Sequence, residues 1–404
     1  MFVTGLRCLR CHGLLDPAPD HYLCPTCGDG ETGGNGKTGE APVSGGQDPG
    51  ILDIEYDYDA VARAVKEGDG WLDHRRDLFR YLPLLPVDSP GPGPPAGGTP
   101  LVPAPRLARR LGLRALYLKD EARNPTRCLK DRATAVGVTL ALSLERNTVY
   151  CASAGNAAIS LAGFAAHLGL ECRVFVPNRA SPERLRWLRR YGAHIQVSDG
   201  NYDQAFAESE REGRREGWYS RNCAFNPYLV EGKKTAALEI AQELGWEVPD
   251  VVVSPVGDGC TLAAQGKGFR ELRTLGLVDR TPALLGVQAA GVSPLVERLH
   301  NAGGAPTHPA TPSGTRAASI DVKGPRNARR VLSEVESSGG TLLSVDDPAI
   351  QEAQEALARD AGTVAEFTSA ATLAGLQSYL TSEGAAARDL TAVLLITGGR
   401  WEED

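Results

Sequence analysis

The sequence predicts an α/β protein, with parallel sheets covered by helices on both faces and a small cysteine-rich ribbon in front of them. Three observations predict this. From residue 114 onward, short apolar runs alternate with longer helical patterns, the arrangement that builds parallel sheets with helices on both sides. Several strand-to-helix junctions are rich in glycine, and such folds bind ligands at the carboxyl ends of their strands. Near the N-terminus four cysteines form two close pairs, Cys8 with Cys11 and Cys24 with Cys27. At 404 residues the chain is too long for one simple core, so two or three domains are expected. A net charge of −7 argues against a nucleic-acid or anionic-membrane partner. No apolar run approaches the roughly 20 residues of a membrane span, and residues 1–7 lack the apolar core of a secretory signal. The expected location is the cytoplasm. The remaining cysteines (Cys128, Cys151, Cys172, Cys223, Cys260) are scattered and odd in number, unlike a secreted disulfide framework.

In chain order, residues 1–30 read as a ribbon. Each Cys-x-x-Cys bends around one ion and presents two thiolates, and two such knuckles complete a closed, tetrahedral, structural zinc site at Cys8, Cys11, Cys24 and Cys27. Free thiols or a redox pair are the alternatives, and His12 and His21 are bystanders to a four-thiolate set. Residues 31–50, rich in Gly, Thr, Ser and Pro, read as a flexible linker. A second break at 88–105, dominated by Pro and Gly, is expected to run extended across the surface. Strands follow at 114–119, 147–152, 172–176, 194–197, 250–254, 283–288, 341–345 and 391–396. Helices are expected at 133–144, 157–168, 182–191, about 202–212, 233–244, 261–274, 348–360 and 369–380. Ser181 is the expected N-cap of the third of these, with Pro182 at its first position.

Four junctions carry chemistry. Lys130 lies in Asn124-Pro125-Thr126-Arg127-Cys128-Leu129-Lys130-Asp131-Arg132, between a strand and a helix. A lysine there is a candidate anchor for a carbonyl cofactor, provided its amine is neutral or already condensed; the plainer reading is a solvated surface lysine. Ser153-Ala154-Gly155-Asn156 leaves a strand and opens a helix, so its backbone N–H groups suit a carboxylate or phosphate, unless Asn156 is simply a cap. Gly257-Asp258-Gly259-Cys260-Thr261 has the small residues and helix start of a phosphate cradle, but not the pattern of a nucleotide-binding loop. Asp258 is awkward there unless its side chain points away. Thr397, at the end of the last strand, offers a neutral hydroxyl or is an ordinary strand end. Converging on one crevice, these features would hold pyridoxal phosphate, with an amine, a phosphate cup and a partner for the ring nitrogen.

At this point the chain resembles the fold type II pyridoxal-phosphate enzymes, and within them the threonine synthase-like proteins. The resemblance rests on Asn124–Arg132, Ser153–Asn156, Asn226-Pro227-Tyr228 with Glu231-Gly232-Lys233-Lys234-Thr235, Pro255–Gly259 and Leu285–Gln288, and covers about residues 98–400. It implies two doubly wound parallel-sheet domains. Residues 51–120 with 226–404 would form the larger, cofactor-holding domain, and 121–225 a smaller mobile one. It implies that Lys130 holds the cofactor covalently and later moves protons, that Asn156 bonds the cofactor 3-hydroxyl, that Gly257–Thr261 hold its phosphate, and that Thr397 meets its ring nitrogen. Ser153, Ala154, Gly155, Asn156, Asn222 and Arg184 would face the substrate. The implied reaction is a lyase reaction converting O-phosphohomoserine and water to threonine and phosphate, carried out by a homodimer. The alternative is β-elimination or β-replacement on serine, threonine or O-phosphoserine. A non-catalytic protein using the ribbon to bind a partner is disfavoured by the acidic chain. The chain departs from the family at Arg127-Cys128, at Cys223, at Leu229, where an arginine commonly meets the substrate phosphate, at Phe367-Thr368-Ser369 and at Gly399-Arg400. Losing that arginine removes a charge-assisted contact for which Arg184 or Arg127 would compensate.

Overall fold

The computed structural model describes residues 1–28, 48–67, 71–300, 314–384 and 389–399. The linker expected over 31–50 falls mostly outside these residues, as does Arg400. The described chain forms three sheets. Six strands form the largest, in the order Thr341–Val345, Ala283–Ala289, Val251–Pro255, Thr391–Ile396, Ala115–Asp120, Leu101–Pro103. Its neighbours are parallel except at the Leu101–Pro103 edge, which is antiparallel. The edge is where a strand can carry Pro103 without losing a ladder bond. His194–Val197, Glu171–Val176, Thr148–Ala152 and Tyr219–Ser220 form a second, all-parallel sheet.

Alternation along the central strands separates two cores, because successive side chains face opposite ways. Val251 and Val253 pack with Leu373 and Leu376 of the helix Phe367–Glu383, and Val252 packs with Leu238, Leu262 and Phe269 from helices on the opposite face. The smaller sheet is sandwiched likewise: Val149 and Cys151 face Ile159 and Leu161, while Tyr150 and Ala152 face Phe206.

Most expected elements are present within a few residues, with informative departures. Ser181 makes no capping hydrogen bond, although Pro182 does begin its helix. The helix expected from 233 starts at Tyr228, and that expected to end near 212 runs to Glu216, where Gly217 takes a left-handed conformation. The 88–105 segment is not wholly on the surface. Ala96 and Thr99 are buried, and Gly98, at φ +61°, lies so close to Arg76 that a Cβ would sit 1.5 Å from its carbonyl oxygen. Elements not foreseen from the sequence include the helices Tyr58–Lys66, Pro105–Leu111, Pro294–His300 and Ala328–Ser337, and the strand Leu52–Tyr56. That strand, grouped from the sequence with the larger domain, pairs antiparallel with Val3–Cys8, which also pairs with Leu14–Leu15. Lys267 Nζ then reaches Asp53 (3.0 Å), the Ile54 carbonyl (2.7 Å) and Glu231 (2.7 Å), and Tyr56 donates to Glu231 at 2.8 Å. The N-terminal sheet is thus tied to helices behind the large sheet by buried charge. No helix among the described residues is long and apolar enough to cross a membrane.

Candidate functional site

A cavity of about 370 Å³ opens beyond the carboxyl ends of Thr148–Ala152, Val251–Pro255 and Thr391–Ile396, bringing residues of both parallel sheets together. It has the size of a small-molecule site. Lys130, Ser153, Ala154, Gly155, Asn156, Arg184, Asn222, Gly257, Asp258, Gly259, Cys260, Thr261 and Thr397 all line it. Arg127 does not.

Lys130 is the first residue of the helix Lys130–Ser143. Its position is fixed from three sides. Leu129 N–H donates to the Thr397 carbonyl (2.9 Å), and Arg221 and Thr134 donate to the Lys130 carbonyl (3.1 and 3.0 Å). Two residues on, Arg132 is fully buried and forks onto Glu121 and Glu239 at 2.6–2.7 Å. Burial, and then the neighbouring Lys233 cation, hold the Lys130 amine below the ordinary lysine range. This favours the neutral form that attacks a carbonyl.

The Gly257–Thr261 turn opens the helix Cys260–Thr274, whose first N–H groups lack intrahelical partners. Gly259 sits at φ +100°, and a Cβ on Gly257 would lie 2.8 Å from the Ser319 carbonyl oxygen. Glycine is therefore required at both positions. The Asp258 carboxylate accepts from Arg326 N–H (2.6 Å) and from Asn327 Nδ2. It faces the 326–327 segment and leaves the turn free for an anion.

Asn156 begins the helix Asn156–Leu168 and donates through Nδ2 to Glu366 (2.7 Å). Burial pushes the Glu366 carboxyl up. Ser153 Oγ accepts from Gly155 N–H at 3.0 Å, and the Arg184 guanidinium lies against that turn. Thr397 Oγ1 meets Ser369 Oγ at 3.1 Å, a neutral hydroxyl pair with no carboxylate on it. Asn222 borders the cavity, but its amide is already engaged, accepting from Ala152 N–H (2.8 Å) and donating to Ser209 and Glu210 (3.1 and 2.8 Å). Leu229 is fully buried, packs toward Gly137 and does not line the cavity. Its side chain is therefore not a missing phosphate contact.

Sequence reasoning missed Arg221, Cys223 and Lys233 as cavity residues, and Ser369 and Glu366 as partners of Thr397 and Asn156. Lys233 lies within a recognisable motif, and the i, i+4 spacing of Leu229 and Lys233 offered no hint of which one faces a ligand. The set suits pyridoxal phosphate in chemistry: a half-buried amine shifted toward its neutral form, an anion turn whose Asp258 carboxylate is engaged by Arg326 and Asn327, and a neutral hydroxyl pair. Away from this cavity, the ligand atoms of Cys8, Cys11, Cys24 and Cys27 all lie within 4.8 Å of one another, with Cys11 and Cys24 sulfurs 3.7 Å apart. Tetrahedral zinc–thiolate geometry requires about 3.8 Å between sulfurs.

Comparison with known proteins gives a consistent answer. Residues 93–398 match the family described as pyridoxal-phosphate dependent enzyme. The chain is 37% identical to a threonine synthase of Methanosarcina acetivorans, covering 97% of this chain and 91% of that one. It is 35% identical to a threonine synthase of Methanocaldococcus jannaschii, with the same coverage. Among solved structures it resembles a threonine deaminase of T.th., with a TM-score of 0.63, 25% identity and coverage of 76% of this chain and 94% of that one.

Proposed function

The chain belongs to the pyridoxal-phosphate-dependent enzymes, with threonine synthases as its homologues, and from that premise we propose that it converts O-phosphohomoserine and water to threonine and phosphate. The observation that carries this reading is Lys130, an amine shifted toward its neutral form on the same cavity wall as an anion turn whose Asp258 carboxylate is engaged by Arg326 and Asn327.

When bound, the cofactor supplies the electron sink that makes removal of a substrate α-proton feasible. The chain's residues do the rest. Lys130 Nζ anchors the cofactor and carries protons to and from the substrate. The N–H groups of Gly257–Thr261, reinforced by their helix start, hold the cofactor phosphate. The Asn156 side-chain oxygen accepts from the cofactor hydroxyl while its nitrogen stays on Glu366. Thr397 and Ser369 present neutral hydroxyls to the ring nitrogen, which restrains its electron demand and suits elimination and replacement. The N–H groups of Ser153–Asn156 grip the substrate carboxylate. Arg184 supplies the charge for the substrate phosphate that Leu229, buried elsewhere, does not. The four N-terminal thiols hold structural zinc, with no position left for a water. The same reading takes the protein as a cytoplasmic homodimer, in keeping with nine unpaired cysteines.

The test is a substrate panel on pure enzyme: O-phosphohomoserine, O-phosphoserine, serine and threonine, followed by phosphate, ammonia and new amino acids. Threonine and phosphate in equal amounts, from the first substrate alone, are expected. Phosphate from O-phosphoserine, or ammonia from serine or threonine, with none from O-phosphohomoserine, would replace this reading by β-elimination.

A further inference from the structure

Two thiols of the cavity wall remain unused by this chemistry. Cys223 Sγ accepts from Arg221 Nη1 at 3.3 Å. Cys260 Sγ accepts from Lys233 Nζ at 2.8 Å. The two thiols are packed together and share a hydrogen bond. Cys260 enters the phosphate turn only through its backbone, so its sulfur is free for other chemistry.

The surrounding charge decides what that chemistry is. Arg221 and Lys233 are both buried. Arg221 donates to Thr134, Cys223 and the Lys130 carbonyl, and Lys233 to Cys260. Neither has a carboxylate partner among these bonds. The acids that feel them are turned elsewhere: Asp258, near Lys233, accepts from Arg326 and Asn327, and Asp131, near Arg221, accepts from Thr126. Buried cations require a counter-charge, and a thiolate at Cys223 provides one. The bond from Cys260, then the Lys233 and Arg221 cations, hold the Cys223 thiol well below its ordinary range. The same bond and burial push Cys260 up, so it remains a thiol. Cys151 also borders the cavity, but burial raises it to about 12 and leaves it inert. A low-pKa, half-exposed thiolate beside a second thiol is the arrangement that reacts with peroxide and resolves to a disulfide.

We propose that Cys223 is a peroxide-reactive thiolate and Cys260 its resolving thiol, so that oxidation links the loop before the helix Tyr228–Glu243 to the first residue of the phosphate-turn helix. In the first step the peroxide O–O bond breaks. One oxygen is transferred to Cys223 Sγ, giving a sulfenic acid, and the other leaves as water. In the second, Cys260 Sγ attacks Cys223 Sγ, the S–O bond breaks, and the oxygen departs with the Cys260 proton as a second water. Two thiols lose two electrons to one peroxide. Lys233 loses its thiol partner, and the cup is held in the grip of the neighbouring loop. This chemistry does not depend on which amino acid the enzyme takes.

The test uses zinc-replete holoenzyme treated with equimolar hydrogen peroxide, alkylated and mapped by peptide mass spectrometry. A Cys223–Cys260 linked peptide is expected, with intact mass lower by about 2 Da, two thiols lost of the nine in the chain, and full reversal by dithiothreitol. In Cys260→Ser the reaction should stop at a sulfenic acid on Cys223, trapped by dimedone. The proposal is overturned if Cys223 stays fully alkylatable while other cysteines oxidise, or if dimedone finds no Cys223 adduct in folded Cys260→Ser. Should that variant not fold, the wild-type peptide map alone decides.

Discussion

Lys233 shows how much a single side chain can matter to its neighbour. Its cation is, after burial, the largest influence lowering the Lys130 amine. Replacing it with glutamine removes like-charge repulsion, so the Lys130 pKa rises. A lysine captures an aldehyde only from its neutral fraction. In apoprotein, the midpoint of pyridoxal-phosphate capture against pH, read by borohydride trapping on Lys130, should therefore move to higher pH in Lys233→Gln. Capture near neutral pH should slow accordingly. An unmoved midpoint would remove Lys233 from this role. At this scale the sequence was legible wherever a short motif encodes its own backbone. The glycines of 257–259 and the Asn156 helix start were predictable because turn chemistry is local. Arg221, Ser369 and Glu366 were not, because they reach the cavity only through tertiary packing. Leu229 misled for a related reason: its motif position was readable, but the helix face it occupies was not.

The helix Lys130–Ser143 depends on Arg132 for its attachment. That guanidinium is buried with Glu121 and Glu239 on either side and Thr99 and Thr235 beside them. A buried ion cluster is weak evidence for net stability, but breaking one leaves an unpaired charge and costs about 3–5 kcal/mol. Arg132→Met should thus lower unfolding free energy in guanidinium titration by about that amount, whereas the double replacement of a surface pair such as Arg215 with Glu216 should cost less than about 1 kcal/mol. An Arg132→Met loss no larger than the surface pair's would refute the anchoring role. Among the elements, long periodic helices and apolar strands were readable because their patterns repeat. Helix ends were less so. Ser181 is a good capping residue by type, yet makes no cap. Asn226 in turn bonds Tyr228 N–H at 3.0 Å and helps the next helix begin at Tyr228. The Leu52–Tyr56 strand was missed because its partner, Val3–Cys8, lies far away along the chain.

At the scale of the whole molecule, the ribbon is fastened to the body. Tyr228 donates to the Ala18 carbonyl at 2.7 Å, and Ser220 N–H donates to Tyr22 at 3.3 Å. Both ribbon contacts lie between the two cysteine pairs. Cys24→Ser should therefore abolish stoichiometric zinc and lower the unfolding temperature, while the cofactor absorbance persists at saturating pyridoxal phosphate. Complete loss of that absorbance in a folded variant would show that the ribbon shapes the cavity itself. Parallel sheets were foreseeable from alternation and their division into two from the family resemblance, but the position of the final strand was not. Thr391–Ile396 lies inside the six-stranded sheet, between Val251–Pro255 and Ala115–Asp120, and the residues just after it brace the loop before Lys130 through Leu129 to Thr397 and Gly399 to Arg127. Translation delivers that strand after nearly all the others. On the ribosome the sheet must wait with an open slot at its heart, its flanking edges exposed to unwanted pairing, and the nascent enzyme cannot be primed with vitamin until that strand has been made.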